Sequence, residues 1–221
     1  MVWGLIQPKG FGDFFPDGDY EGWDAQIKAY FDTEMSIAER AQYDNWHVTF
    51  KHEISRKFTR DLGPVADHEQ PREFRARSVK ALAELFKMTD QLLAVSETLK
   101  TLIEGLEPNT HQFWPIRITH SPTRETPGPF HALVIRQFHD SFSPDQSEEG
   151  CWRESNGKFR SQFGKKKDYA GLALSRAAFS GSHLWRETRL ADPAICFSDT
   201  LKAEIDAVGL RVPTHYPLKE V

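Results

Sequence analysis

The 221-residue chain is 39% apolar, 12% aromatic and 27% charged with a net charge of −4, a balance that excludes a disordered polymer and is too close to neutral to name a nucleic-acid or membrane partner. Two cysteines, Cys151 and Cys196, lack a metal-ligand spacing and are too few for a disulfide framework, so a reducing, cytoplasmic setting is expected. The opening MVWGLIQPKGFGD has no basic stretch followed by a long apolar run, and no segment reaches the length of a membrane span.

Residues 1–24 interleave Trp3, Phe11, Phe14, Phe15, Tyr20 and Trp23 with acids. Turns and little helix are expected, with the rings pinning the segment and the carboxylates in water. The DGD at 17–19 lacks the remaining ligands of a calcium loop. Charge is uneven here: residues 11–44 carry nine acids against Lys28 and Arg40, a net of −7. Ser36 and Glu39 form an S-x-x-E capping box before a short helix. Trp46, Val48, Phe50 and Ile54 alternate with polar residues, which predicts a strand with His47 outward and His52 inward. The charged run 56–77, with Pro64 and Pro71, predicts a loop or short irregular helix, and a helix is expected after Ser78 with Val79, Leu82, Leu85 and Phe86 inward.

Residues 92–118 and 194–218 are alike at a shift of 102. Ser96, Thr98, Leu99, Lys100, Ile103 and Pro115 recur as Ser198, Thr200, Leu201, Lys202, Ile205 and Pro217. Each copy predicts a buried strand, a serine-capped helix over roughly 97–105 or 199–207, and a second strand that its proline places at an edge or bulge. Leu99, Leu102, Ile103 and Leu106 give the first helix its apolar stripe; Glu204 interrupts the stripe of Leu201, Ile205 and Val208, so the second buried face should be narrower.

Between the copies, Phe130–Asp140 is apolar on both faces and predicts a central strand. His131 and His139 share a face but stand about 25 Å apart at ~3.3 Å per residue, too far to share one metal. Residues 141–169 predict a long loop, or a hairpin turning at Asn156–Gly157; residues 151–176 carry a net charge of +5 beside Trp152, Phe159 and Phe163. Short strands follow at 171–175 and 183–186. No nucleophile elbow, Walker loop, dinucleotide fingerprint or metal spacing occurs; GSH at 181–183 lacks the second glycine of G-x-S-x-G.

LLAVSETLKTLIEGLEP with HQFWPIRI, then HALVIRQFHDSFSPDQSE, then HLWRE and AICFSDTLKAEIDAVGL resemble the immunity protein 11 family of bacterial polymorphic toxin systems, over about residues 79–221. The first 78 residues carry none of these motifs, and Arg211-Val-Pro stands where the family pattern has a Gly-aromatic turn. The resemblance implies a cytoplasmic, non-enzymatic protein that binds and neutralises a toxin domain encoded nearby; the missing fingerprints and ligand spacings separately predict no cofactor and no metal site.

The expected fold is α+β, a mixed or antiparallel sheet with the duplicated unit, divided into an acidic and aromatic part (1–78) and an immunity-protein-like domain (79–221). Charge and aromatic content point to Asp17, Asp19, Glu21, Trp23 and Asp24 as partner-binding residues. Two other readings compete: a nucleic-acid-binding module using residues 151–176, and a hydrolase assembled from dispersed His and Asp residues.

Overall fold

A computed structural model describes residues 1–78, 81–121, 124–125 and 128–221. In chain order the first elements are β1 (Val2–Leu5), β2 (Asp17–Tyr20), α1 (Trp23–Ala29), α2 (Ile37–Arg40), α3 (Lys51–Lys57), β3 (Glu73–Ser78) and β4 (Leu85–Lys87). Then come β5 (Leu93–Ser96), α4 (Glu97–Leu106), β6 (Gln112–Ser121), β7 (Arg124–Glu125), β8 (Phe130–Val134) and β9 (Phe138–His139). The last are β10 (Trp152–Ser155), β11 (Lys158–Ser161), α5 (Lys166–Gly171), β12 (Ala173–Leu174), β13 (Leu184–Glu187), β14 (Leu190–Asp192), β15 (Ile195–Ser198), α6 (Asp199–Val208) and β16 (His215–Glu220).

The chain forms two compact units. One comprises Gly10–Glu97 and Gln112–Val134; the other comprises Met1–Lys9, Thr98–His111 and Ile135–Val221. The division therefore runs through these boundaries and not at residue 78. The first unit is built on a sheet in the order β2-β3-β6-β8-β5-β4, with β7 on β6. α1 supplies Trp23 and Ile27, α3 supplies Ile54, and Phe58 at the α3 C-cap joins them in a core that includes Phe74 and Trp114. The second unit is built on the order β12-β16-β1-β15-β13-β9, with a small sheet β10-β11-β14.

Both copies of the repeat adopt strand, helix, strand, and the likeness extends to whole sheets. β5-β8-β6 and β15-β1-β16 are each antiparallel triplets. β4 flanks β5 antiparallel as β13 flanks β15, and β3 joins β6 in parallel as β12 joins β16. The registers agree residue by residue. Leu85, Phe86 and Lys87 face Val95, Ala94 and Leu93, as Leu184, Trp185 and Arg186 face Phe197, Cys196 and Ile195. Phe130 to Leu133 meet both neighbours as Val2 to Leu5 do. The amino-terminal strand thus holds in its sheet the place that β8, from the middle of the chain, holds in the other.

Side chains repeat as well. A ring nitrogen of the central strand hydrogen-bonds the carboxylate of the first helical residue in each copy: His131 with Glu97, and the Trp3 indole N–H donating to Asp199 at 3.0 Å. Lys100–Glu104 recurs as Lys202–Asp206. Leu99 and Ile103, and Leu201 and Ile205, are the buried residues of the two helices. The second stripe is the narrower, because Leu102 and Leu106 are half-buried while Val208 is 52% exposed. The Ser198 hydroxyl caps α6 by accepting from the Leu201 N–H at 3.1 Å.

Several expectations are corrected. Residues 46–54 are not a strand but a wide helical turn running into α3, stabilised where the Asn45 side chain accepts from the Val48 N–H; Val48, His47 and His52 are all exposed. The run 56–77 ends in strand β3. Leu85 and Phe86 lie in strand β4 instead of a helix, and Leu82 lies outside any helix; Val79 lies outside the described residues. β6 is interior, yet Pro115 is tolerated. Arg117 donates its N–H toward β3, to Arg72, and Pro115, two residues earlier, points the same way before β3 has begun. Pro217 precedes Lys219, which donates to Leu172, in the same way. The expected Phe130–Asp140 strand is central as β8 but stops at Val134. The 141–169 region contains the hairpin alternative, β10 and β11, whose Asn156 and Gly157 both take φ > 0 as a two-residue turn of this kind requires.

Candidate functional site

The acidic rim lies along β2 and the start of α1. Asp17 pairs with Arg77 at 3.0 Å, Glu21 with Arg75 at 3.1 Å and Asp24 with Lys51 at 2.6 Å, while the Asp19 carboxylate accepts from the Tyr20 N–H. These carboxylates are therefore largely compensated by bases that lie outside the acidic stretch. Trp23 is 1% exposed, its indole N–H donates to the Glu69 carbonyl at 2.7 Å, and Lys51 lies 5.0 Å over its ring. It pins α1 to the core and presents no surface.

Beyond this rim, the same unit exposes uncompensated groups. α2 buries none of its residues, Ile37 is 87% exposed and Val48 63%. Glu34 and Asp44, in the same stretch of sequence, are exposed as well. A full capping box holds this turn. Ser36 Oγ accepts from the Glu39 N–H at 3.2 Å, and the Glu39 carboxylate accepts from the Ser36 N–H and hydroxyl at 3.2 and 2.7 Å, which lowers the Glu39 pKa. Arg40 donates to the carbonyls of Asp32 and Met35 and lies 5.6 Å over the Phe31 ring.

The other unit contains a buried polar network at the end of α4. The Glu107 carboxylate accepts from the backbone N–H groups of His183 and Leu184 at 2.5 and 3.0 Å, from His111 Nε2 at 2.8 Å and from the Gln137 amide. Because His111 Nδ1 accepts from the Arg136 N–H at 3.2 Å, its proton sits on Nε2. Burial pushes the Glu107 carboxyl up, but these donors outweigh it and hold the pKa below the usual range. E-x-x-x-H at a helix end was the sequence signal for this pair.

Ser182 and His139 stand next to this network with Oγ and Nε2 2.8 Å apart. That separation suits a nucleophile and its base, but the connectivity does not. The Ser182 hydroxyl donates to Gln137 Oε1 at 2.5 Å, so His139 acts as donor to the serine, not as the acceptor of its proton. Burial also lowers the His139 pKa. Among the described residues no three His, Cys, Asp or Glu side chains converge as metal ligands. The network's evident effect is to tie the α4 end to the backbone at β13.

In the basic segment, Trp152 and Phe159 are not a stacking platform. They pack on each other and on Phe142 with centroids 5.1–6.1 Å apart, leaving Phe163, 65% exposed, with Lys165 5.7 Å over its ring. Buried cations occupy matching places in the two sheets: Lys87, 4.0 Å over the Phe15 ring, and Arg186, whose pKa burial lowers to about 10. No helix among the described residues is long and apolar enough to cross a membrane.

No curated protein matches the chain. Residues 17–216 match the Immunity protein family (Imm11). The match begins at β2 and not at residue 79, so it takes in the helical segment that carries no quoted motif as well as both repeats. On this coverage, the chain belongs to the Imm11 immunity protein family.

Proposed function

We propose that this protein binds a cognate toxin domain, encoded nearby, in the cytoplasm and silences it by protein–protein contact without catalysis. The family match across residues 17–216 carries this reading. The Ser182–Gln137 hydrogen bond supports it at Ser182, which it leaves without an activated nucleophile; the other Ser–His contact, Ser198 Oγ to His183 Nδ1 at 2.8 Å, uses the hydroxyl that caps α6. An inhibitor needs a rigid scaffold and an interface with apolar anchors and complementary charge. The acidic side of residues 11–44 suits a basic partner. Lys51, Arg75 and Arg77 pair with Asp24, Glu21 and Asp17 and so offset three of its seven net negative charges; the remaining four, Asp19's among the contributors, would speed encounter of this side, the rim of Asp17, Asp19, Glu21 and Asp24 included, with such a toxin.

The test is protection. A host expressing the neighbouring toxin domain should stop growing, and co-expression of this chain should restore growth together with a stoichiometric complex of the two purified proteins. Growth arrest unrelieved by this chain would refute the function; protection without a complex would refute inhibition by direct contact.

A further inference from the structure

Two tyrosines of the first unit are held rigidly yet leave their hydroxyls unused. Tyr30 opens the wide turn that follows α1, and Tyr43 follows α2; both rings pack on Phe50, which is 5% exposed, at centroid distances of 6.2 and 5.0 Å. His68 stacks on Tyr30 at 3.5 Å with the ring planes 10° apart, and Phe31 closes on Phe50 and Tyr43 at 5.6 and 6.4 Å. In the same unit Tyr20 donates its hydroxyl to the Thr89 carbonyl at 2.6 Å, whereas the Tyr30 and Tyr43 hydroxyls have no partner among the described residues and are not buried. Fixed rings with open polar ends lose little freedom on binding.

The charge around these two hydroxyls has one sign. Burial and then the carboxylates of Glu39, Glu34 and Glu69 raise the Tyr30 pKa; burial and then those of Glu53, Glu69 and Glu39, followed by the Tyr30 hydroxyl, raise that of Tyr43. Glu39 thus lies within electrostatic reach of both phenols, and the phenols within reach of each other. Two of the carboxylates are neutralised within the chain, Glu69 by Lys57 at 2.5 Å and Glu53 by Arg56. Glu34 and Glu39 are exposed and have no cationic partner among the described residues. Arg40, next to Glu39 in sequence, turns instead to the Asp32 and Met35 carbonyls and the Phe31 ring. The Ser36 cap fixes the Glu39 carboxylate and lowers its pKa, so it stays ionised beside the tyrosines. The sheets shared by the two units do not call for this segment, because a hairpin with α5 precedes β12 where these helical turns precede β3.

We propose that Tyr30, Tyr43, Glu34 and Glu39 form the toxin-binding surface and take a lysine or arginine side chain of the toxin domain, whose N–H groups donate to the two phenol oxygens and to the carboxylates. Acceptors that no base of the chain satisfies are complementary to a cation. This deepens the function proposed above and rests on it. The probe is the neighbouring toxin domain, inactivated by substitution, with kinetics of binding to the full chain measured at 50 and 300 mM NaCl. Tyr30→Phe with Tyr43→Phe keeps the aromatic platform and removes only the hydroxyls. Binding should weaken at least about tenfold through faster dissociation, since hydrogen bonds from a charged donor are the strong class. Glu34→Gln with Glu39→Gln removes both charges and keeps the capping box, which glutamine also forms. Association should slow about fivefold or more at 50 mM NaCl and much less at 300 mM. The melting temperatures of both variants should stay close to that of the parent. If the parent binds and either variant pair binds within about threefold of it at both salt concentrations, this surface is wrong and the function stands. A parent chain that dimerises at 50 mM NaCl, and loses the dimer in the glutamine pair, would assign the surface to a second copy of this chain and likewise overturn the proposal. Failure of the parent itself to bind the toxin domain removes both proposals together.

Discussion

Replacing Glu107 by alanine strips the acceptor from four donors at once: the N–H groups of His183 and Leu184, the His111 imidazole and the Gln137 amide. A buried donor left unsatisfied costs about 1–3 kcal/mol. Water entering the vacated space would recover part of this, so the expected loss is about 3–5 kcal/mol, the size measured when one partner of a buried charged network is removed. Against a total of about 5–15 kcal/mol for a typical domain, that is a severe change. Urea unfolding at pH 7 measures it, and amide exchange at His183 and Leu184 should accelerate locally. The pH dependence is a second check. Glu107 has a lower pKa in the folded chain than unfolded, so its stabilisation is complete above the unfolded value of about 4.3 and is lost as pH falls through the folded value. The gap between parent and Glu107→Ala should be constant from pH 6 to 8 and close under acid. A gap below about 1 kcal/mol at pH 7, against that 3–5 kcal/mol expectation, or one that widens on acidification, would refute the network's role.

Leu99→Ala and Leu201→Ala, each 2% exposed in the parent, should cost about 2–5 kcal/mol apiece in urea melts, and Ser198→Ala about 1 kcal/mol through its lost cap on Leu201. Gly4 occupies the place of Ala132, but a Cβ there would lie 2.6 Å from Pro193 Cγ. Gly4→Ala should therefore destabilise by about 1–3 kcal/mol in thermal melts. Gly105 has nothing within 4 Å of an added Cβ, and its repeat counterpart is Ala207. Gly105→Ala should stabilise by about 0.5–1 kcal/mol, and a lowered melting temperature would contradict the helix geometry.

The repeat was legible where side chains do the same work twice: a capping serine, two buried residues four apart, a Lys–acid pair and a proline placed where one edge is unpaired. Its central strand was not, because Phe130 to Leu133 and Val2 to Leu5 share little beyond their place in the ladder and lie far from the constant shift of 102. Trp46, Phe50 and Ile54 alternate as a strand would, yet steps of four fit a helix equally, and Asn45 and the packing of Phe50 and Ile54 decide it. In β3 the charges hid a clean alternation in which Phe74 and Ala76 face the core between Glu73, Arg75 and Arg77. The acidic rim read as a free negative surface because its partners Arg75 and Arg77 lie more than fifty residues on; only the folded sheet sets β2 beside β3. Ile37 and Val48 drew no attention as surface, since exposure of a single apolar residue leaves no periodic trace.

The exchanged strand gives the protein an unequal history of assembly. Every strand of one sheet is made by residue 134, so that sheet can close while the rest of the chain is still being translated. The other waits: 196 residues separate Trp3 from Asp199, and at ~5–20 residues per second β1 exists for roughly 10–40 s before β15 and β16 emerge to receive it. Until then Val2 and Leu5 have no ladder partners, and once β15 and β16 appear they expose a strand-wide slot that β1, translated much earlier, fills. The slowest contact of folding and the most aggregation-exposed interval of the nascent chain should therefore coincide at one four-residue strand.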